Sequence, residues 1–184
     1  MAPTPSDICP LNVGSHIPDV NVATVDGSPT NLRDQVRQKP TILVFYRGGW
    51  CPYCNSQLQQ LHEAEPELVR MGYQILAISA DRPSKLRESV DKHSLGFTLL
   101  SDSSMAATRA FGIAFQLDQE TVQRYKKYDM DLEEASGKKH HQLPVPAVYI
   151  VGTDRLVCFA YAHPNHQVRL DPDVLLAAAK AALK

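Results

Sequence analysis

Apolar and polar positions along this chain switch between two periods, and each switch marks an element. Thr41-Ile42-Leu43-Val44-Phe45 is an unbroken β-branched and aromatic run, short enough for a buried strand. After Cys54 the period lengthens. Leu58, Leu61, Ala64, Leu68 and Met71 fall three and four apart, the stripe of an amphipathic helix, which Pro66 should kink or end. Tyr73-Gln74-Ile75-Leu76-Ala77-Ile78-Ser79 reads as a second buried strand. Asp81-Arg82-Pro83-Ser84 opens a further helix, with Pro83 in its first turn and Leu86 and Val90 on its inner face. Phe97 to Leu100 reads as a short strand and Ser103 to Phe111 as a short helix. Strand, helix, strand, helix, strand in this order predicts an α/β unit with parallel pairing and right-handed crossovers.

The flanks complete the pattern. Val20 to Thr30 reads as a short strand and a turn at Asp26-Gly27. Ala147 to Val151 and Leu156 to Tyr161 are two apolar runs about Gly152-Thr153-Asp154, which predicts an antiparallel hairpin at a sheet edge. Asp171-Pro172 caps and opens a last helix with Val174, Leu175, Ala178 and Ala182 facing inward. Residues 1–13, with three prolines before Leu11, read as an extended arm ahead of one domain over 14–184. Residues 116–142 read as an insertion: Val122, Tyr125, Tyr128 and Leu132 keep helical spacing, and a polar loop follows in which His140 and His141 are expected to be solvated.

Composition narrows the classes of function. A net charge of −1 gives no reason to expect a nucleic-acid or membrane-surface partner, and no apolar run is long enough to span a bilayer. Met1 to Val20 lacks the basic and apolar regions of a secretory signal, so a cytoplasmic protein is the expectation. Four cysteines in 184 residues make no disulfide framework, which suits a reducing compartment.

The candidate chemistry sits between the first buried strand and its helix, in Tyr46-Arg47-Gly48-Gly49-Trp50-Cys51-Pro52-Tyr53-Cys54. Unpaired N–H groups and the helix dipole stabilise an anion at such a helix start, and a thiolate is an anion. Cys51, at the outer edge of the turn, is therefore expected to be the exposed thiol of lower pKa. A structural zinc would need a second ligand pair. Cys9 and Cys158 are isolated, and the spacing of His163 and His166 is too short for a usual pair, so no metal is expected. Packing alone does not explain Gly48-Gly49 and Pro52 beside the cysteines, so a redox pair is the favoured reading. Cys9 is expected to be incidental, and Cys158, inside a strand, to be buried.

The string Phe45 to Cys54 resembles the peroxiredoxin-like branch of the alkyl hydroperoxide reductase/thiol-specific antioxidant (AhpC/TSA) family of the thioredoxin superfamily. So do Ala77-Ile78-Ser79-Ala80-Asp81, Leu143-Pro144-Val145-Pro146-Ala147 and Tyr161-Ala162-His163. The resemblance implies a thioredoxin-like fold, a central mixed sheet flanked by helices, and thiol redox activity without a cofactor. It carries Pro146 over as the superfamily's cis-proline beside the thiols, with Trp50, Pro52 and Arg47 supporting the site. The departures are informative. The peroxiredoxin pattern Pro-x-x-x-Thr/Ser-x-x-Cys, ended on Cys54, puts Cys51 at the hydroxyl position and Arg47 at the proline position. The family's later arginine aligns with Pro146. Arg47 either supplies positive charge or is a solvated loop residue. The buried acid of thioredoxin is replaced by Phe45, so a base for the inner thiol is unassigned; His62 and Glu63 are near only in sequence.

On this reading the Cys51 thiolate attacks a hydroperoxide or a disulfide, and Cys54 closes a transient Cys51–Cys54 disulfide. The peroxidatic alignment exchanges the two roles. Thioredoxin, glutaredoxin or glutathione is the expected reductant, and a second copy of the chain is a further candidate partner. A protein disulfide reductase and a redox-sensing binding module are the alternatives to a peroxidase.

Overall fold

The computed structural model describes residues 4–93 and 96–182. β1 (Asn21–Ala23) and β2 (Pro29–Asn31) form the hairpin about Asp26-Gly27, and Asn31 then caps a short α1 (Leu32–Val36) that no periodicity announced. β3 (Thr41–Tyr46), α2 (Pro52–Arg70), β4 (Gln74–Ser79), α3 (Pro83–His93) and β5 (Thr98–Ser101) follow as the predicted alternation, with α4 (Ala106–Ala110) after them. β6 (Ala114–Gln116), α5 (Gln119–Lys127), α6 (Leu132–Ser136) and β7 (Gln142–Pro144) build the insertion region. β8 (Ala147–Val151), β9 (Val157–Ala162) and α7 (Pro172–Ala182) complete the chain.

The main sheet has the order β2-β1-β5-β4-β3-β8-β9. β3 pairs in parallel with β4, and β4 with β5, whereas β8 runs antiparallel to β3 and β9 to β8. Mixed pairing and helices on both faces give the thioredoxin-like frame that the motifs imply. All six residues of β3 are buried, and their alternation feeds two cores. Leu43 and Phe45 face Phe111, Tyr149 and Leu132; Ile42, Val44 and Tyr46 face Leu58, Leu68 and Leu175 of α2 and α7. Phe111 stacks between Phe45 and Tyr149 at ring-centroid distances of 4.8 and 5.1 Å.

Several local expectations change. Pro66 does not end α2: it is exposed, while Leu61, Ala64 and Leu68 bury the inner face of the helix on either side of it. Val122 to Leu132 is not one helix. Asp131 caps a separate α6 by accepting from the N–H groups of Glu133 and Glu134. His140 and His141 are not solvated. Nε2 of His141 meets Glu133 at 2.7 Å; Nε2 of His140 meets the Ser103 carbonyl at 3.0 Å, and its Nδ1 accepts from the Gln142 N–H. Cys158 is exposed, since β9 is an edge strand whose residue after the buried Val157 points outward. The described part of the arm packs: Cys9 and Leu11 donate backbone hydrogen bonds to the carbonyls of Gly112 and Phe111, and Ile8 and Leu11 lie on the core.

Candidate active site

The turn from β3 into α2 is built by its own sequence. Gly48 has φ +153°, and a Cβ there would lie 2.3 Å from Trp50 Nε1 and 2.7 Å from an Asp81 oxygen, so only glycine fits. Cys51 is the N-cap of α2 in an extended conformation, and Pro52 takes the first helical position, where its missing N–H costs nothing. The Cys51 carbonyl accepts from the N–H groups of Cys54 and Asn55, which starts the helix. Asn55 donates to the Gly49 carbonyl at 3.0 Å, and the Gly49 N–H donates to Asp81 Oδ2 at 2.7 Å.

Cys51 and Cys54 are both free thiols, and both are buried, at 2% and 0% exposure. Cys51 is thus not the exposed thiol expected from its place in the turn; Trp50 and the packed loop cover it. Its electrostatics do follow the expectation. A hydrogen bond from the Cys54 thiol lowers its pKa to about 6, helped by the Cys54 backbone N–H and by the charges of Arg47 and Arg169. Cys54 is pushed up by the same thiol pairing and by burial. Of the two adjacent sulfurs, Cys51 is therefore the one that ionises more readily.

Arg47 is no solvated loop residue. It is 3% exposed, its guanidinium lies 5.2 Å from the Trp50 ring centre and 5.4 Å from that of Tyr125, and Nη2 donates to the Tyr125 hydroxyl. The insertion therefore reaches the site through Tyr125 of α5. Arg169, from the segment before α7, donates from Nη2 to Cys54 Sγ at 3.3 Å. Pro146 lies near the site, lining a cavity of about 240 Å3 with Arg47, Asp118, Tyr125 and His166. Its peptide bond is trans, as are all those of the described residues. The chain on either side is held extended, Val145 N–H on the Ile113 carbonyl and the Pro146 carbonyl on the His163 N–H.

Three groups escaped the sequence reading. Asp81 was read as a helix opening, yet it is buried; burial raises its pKa to about 6, and its Oδ1 has no partner. The only signal was an acid directly after a wholly apolar strand. Arg169 stands 115 residues from Cys54 in an irregular segment, where no periodicity operates. Tyr125 was legible only as a helix-spaced aromatic. His62 pairs with Glu65 at 3.1 Å and Glu63 is exposed, so both remain on the surface of α2. Among the described residues, no three His, Cys, Asp or Glu side chains gather as a metal site, and no helix is long and apolar enough to cross a membrane.

Solved structures share this frame. A peroxiredoxin Q of Xanthomonas campestris superposes with a TM-score of 0.71 at 21% identity over 95% of this chain and 98% of that one. Peroxidoxin BcpB of Mycobacterium tuberculosis gives 0.71 at 18% identity over 93% and 97%. In sequence, peroxiredoxin Bcp of Escherichia coli is 35% identical over 104 residues, 56% of this chain. That stretch spans 66% of the Escherichia coli protein, just short of two thirds of its length. A 1-Cys peroxiredoxin of Medicago truncatula is 24% identical over 165 residues, 90% of this chain and 70% of its own. The AhpC/TSA family model matches residues 13–160, from the end of the arm to the edge strand β9, and so takes in the thiol turn, Asp81, Tyr125 and Pro146. With the model covering most of the chain and the site at its centre, the chain belongs to the AhpC/TSA family.

Proposed function

We propose that this protein is a thiol peroxidase that reduces hydroperoxides through the Cys51/Cys54 pair. The observation that carries the reading is the acidified Cys51 thiol at a helix N-cap, between the guanidinium charges of Arg47 and Arg169. The Cys51 thiolate attacks the outer oxygen of the hydroperoxide. The O–O bond breaks, an alcohol or water leaves with a proton, and Cys51 becomes a sulfenic acid. Arg47 faces the oxygen on which negative charge develops. Cys54 then attacks the Cys51 sulfur and expels water, forming the Cys51–Cys54 disulfide. A thiol reductant of the thioredoxin, glutaredoxin or glutathione type restores both thiols, in a reducing compartment such as the cytoplasm. The peroxiredoxin names of the relatives support peroxide over protein disulfides as the oxidant.

Rapid-mixing oxidation of the reduced protein by hydrogen peroxide tests this directly. Trp50, the sole tryptophan, adjoins Cys51 and reports its oxidation by fluorescence. Oxidation far faster than that of a free thiol, abolished in Cys51→Ser, is the expected result. In Cys54→Ser the sulfenic acid should form and persist. A rate no faster than a free thiol's would remove the peroxidase assignment. One observation favours the reverse order of attack: the Arg169 N–H points at Cys54 Sγ rather than Cys51. Fast oxidation retained in Cys51→Ser and lost in Cys54→Ser would establish that order.

A further inference from the structure

The guanidinium of Arg169 has one hydrogen-bond partner among the described residues, and that partner is the inner thiol. The segment between β9 and α7 delivers it. The His163 N–H is held on the Pro146 carbonyl, and Leu170, next after Arg169, is buried in the cluster of Leu58, Leu68 and Leu175. Nη2 donates to Cys54 Sγ at 3.3 Å, while Nε and Nη1 are buried without a partner. A buried charge left unpaired is costly, and a thiolate in front of it removes that cost. In the reduced protein Cys54 does not supply one. Its hydrogen bond to Cys51, burial and the Cys51 charge push its pKa up, against the pull of Arg169 and of the Arg47 backbone N–H. Oxidation of Cys51 changes this balance. A sulfenic acid is neutral, so the hydrogen bond to a thiolate and the thiolate's charge are both gone. Burial alone then stands against Arg169 and the Arg47 N–H. The other groups about the sulfurs add no competing charge at neutral pH. Burial pushes the Tyr46 phenol far up and keeps it neutral, and burial with the two guanidiniums holds His166 below its usual range. The Arg47 guanidinium acts on Cys51.

Resting on the peroxidase cycle above, we propose that Arg169 is a catalytic residue of its second step, stabilising the Cys54 thiolate once Cys51 has become a sulfenic acid. The Cys54 sulfur attacks the Cys51 sulfur. An S–S bond forms, the S–O bond of the sulfenic acid breaks, and the hydroxyl leaves as water with the proton that Cys54 gave up. The Cys54 sulfur is oxidised and the Cys51 sulfur reduced, both to the disulfide level, and no outside reactant enters. Arginine does not give up its proton, so Arg169 acts by charge and hydrogen bonding and ends the step unchanged. Activation of the two thiols is sequential: Cys51 ionises first, and its own oxidation turns the Arg169 charge onto Cys54. The contact on Cys54 therefore has a use in the forward order of attack.

The test uses the full chain with the exposed Cys9 and Cys158 replaced by serine, so that only the site thiols titrate. Cys51→Ser puts a neutral hydroxyl beside Cys54, as the sulfenic acid does, and serine suits a helix N-cap. Ultraviolet thiolate absorbance then follows Cys54 alone. Cys54 should titrate below about 8.5, the value of a free thiol, although it is wholly buried; burial without a cation would place it above. Adding Arg169→Gln should raise that titration by at least one pH unit, a tenfold loss of thiolate at fixed pH. In the chain that keeps Cys51, one equivalent of hydrogen peroxide is added at pH 7.5, and acid-quenched mass separates the sulfenic acid from the disulfide. Arg169→Gln should slow disulfide formation at least tenfold and the peroxide step by less than about threefold, since Cys51, at about 6, is already ionised there. A Cys54 titration above 8.5 in Cys51→Ser, or disulfide formation as fast in Arg169→Gln as in the parent, would overturn the role of Arg169 and leave the peroxidase reading standing. Should Arg169→Gln not fold, the titration in Cys51→Ser decides alone. Peroxide oxidation no faster than a free thiol's would remove the peroxidase reading, and fast oxidation of Cys51→Ser would make Cys54 the attacking thiol; either overturns this inference as well.

Discussion

Replacing Asp81 by Asn should make the protein more stable at neutral pH and no more stable in acid. Asp81 is 2% exposed; one oxygen accepts from the Gly49 N–H and the other has no partner. Burial lifts its pKa from 3.8 to about 6, and the nearby Cys51 charge adds to the rise. The folded protein thus holds this proton more tightly than the unfolded chain does. Its contribution to stability is fully present below about pH 3.8 and is lost as pH rises through about 6. At 1.36 kcal/mol per pH unit the loss amounts to about 3 kcal/mol. Asparagine keeps an acceptor for the Gly49 N–H and carries no charge, so its stability should lack this fall. Urea unfolding of both proteins at pH 4 and pH 7.5 measures the effect. The variant's advantage should be larger at pH 7.5 by about 2.4 kcal/mol, since part of the unfolded chain's Asp81 is already ionised at pH 4, and any packing change cancels in this double difference. An advantage equal at the two pH values would refute the buried-charge reasoning. So would a variant less stable at pH 7.5 than at pH 4 by the same slope as the parent protein.

Three further outcomes follow from the same structure. Alkylation of Cys51 should rise with pH through about 6 and be level by pH 7.5, where an ordinary thiol near 8.5 is still rising; iodoacetamide labelling read by peptide mass reports it. Gly112→Ala should loosen the arm, because φ is +70° and the added Cβ would fall 1.9 Å from the Cys9 carbonyl; faster proteolysis before Leu11 and a loss of more than about 1 kcal/mol are expected. Phe111→Ala, emptying the place between Phe45 and Tyr149, should cost about 3–5 kcal/mol in denaturant unfolding.

The frame was legible wherever one element's own periodicity decides its fate. β3 is an almost wholly apolar run and α2 has one clean stripe, so the strand, the helix and the thiols between them could be read from one continuous stretch, Thr41 to Met71. What failed was decided by neighbours. Whether Pro66 breaks a helix depends on which side of α2 its freed carbonyl meets water. Whether Cys158 is buried depends on β9 having no strand beyond it. Arg169 reaches Cys54 only because the segment before α7 returns across the end of the sheet, and Asp81 matters because the loop above it leaves one oxygen unmatched. Arg47 was undecidable in sequence for the same reason: its partner Tyr125 belongs to the insertion.

The insertion's two ends are clasped. β6 and β7 pair antiparallel with Gln116 opposite Gln142, and Phe115 opposite Leu143. Everything between leaves and returns through one narrow neck, as a hairpin loop does, yet it is not a free loop. Leu132 packs in one cluster with Leu43 and Phe45 of the strand that leads to the thiols, and the Tyr125 hydroxyl accepts from Arg47, whose charge favours the Cys51 thiolate. A change of residue 125 or 132 is therefore felt at the sulfurs, although neither residue touches them in sequence. The segment added to the frame has become part of its reactivity.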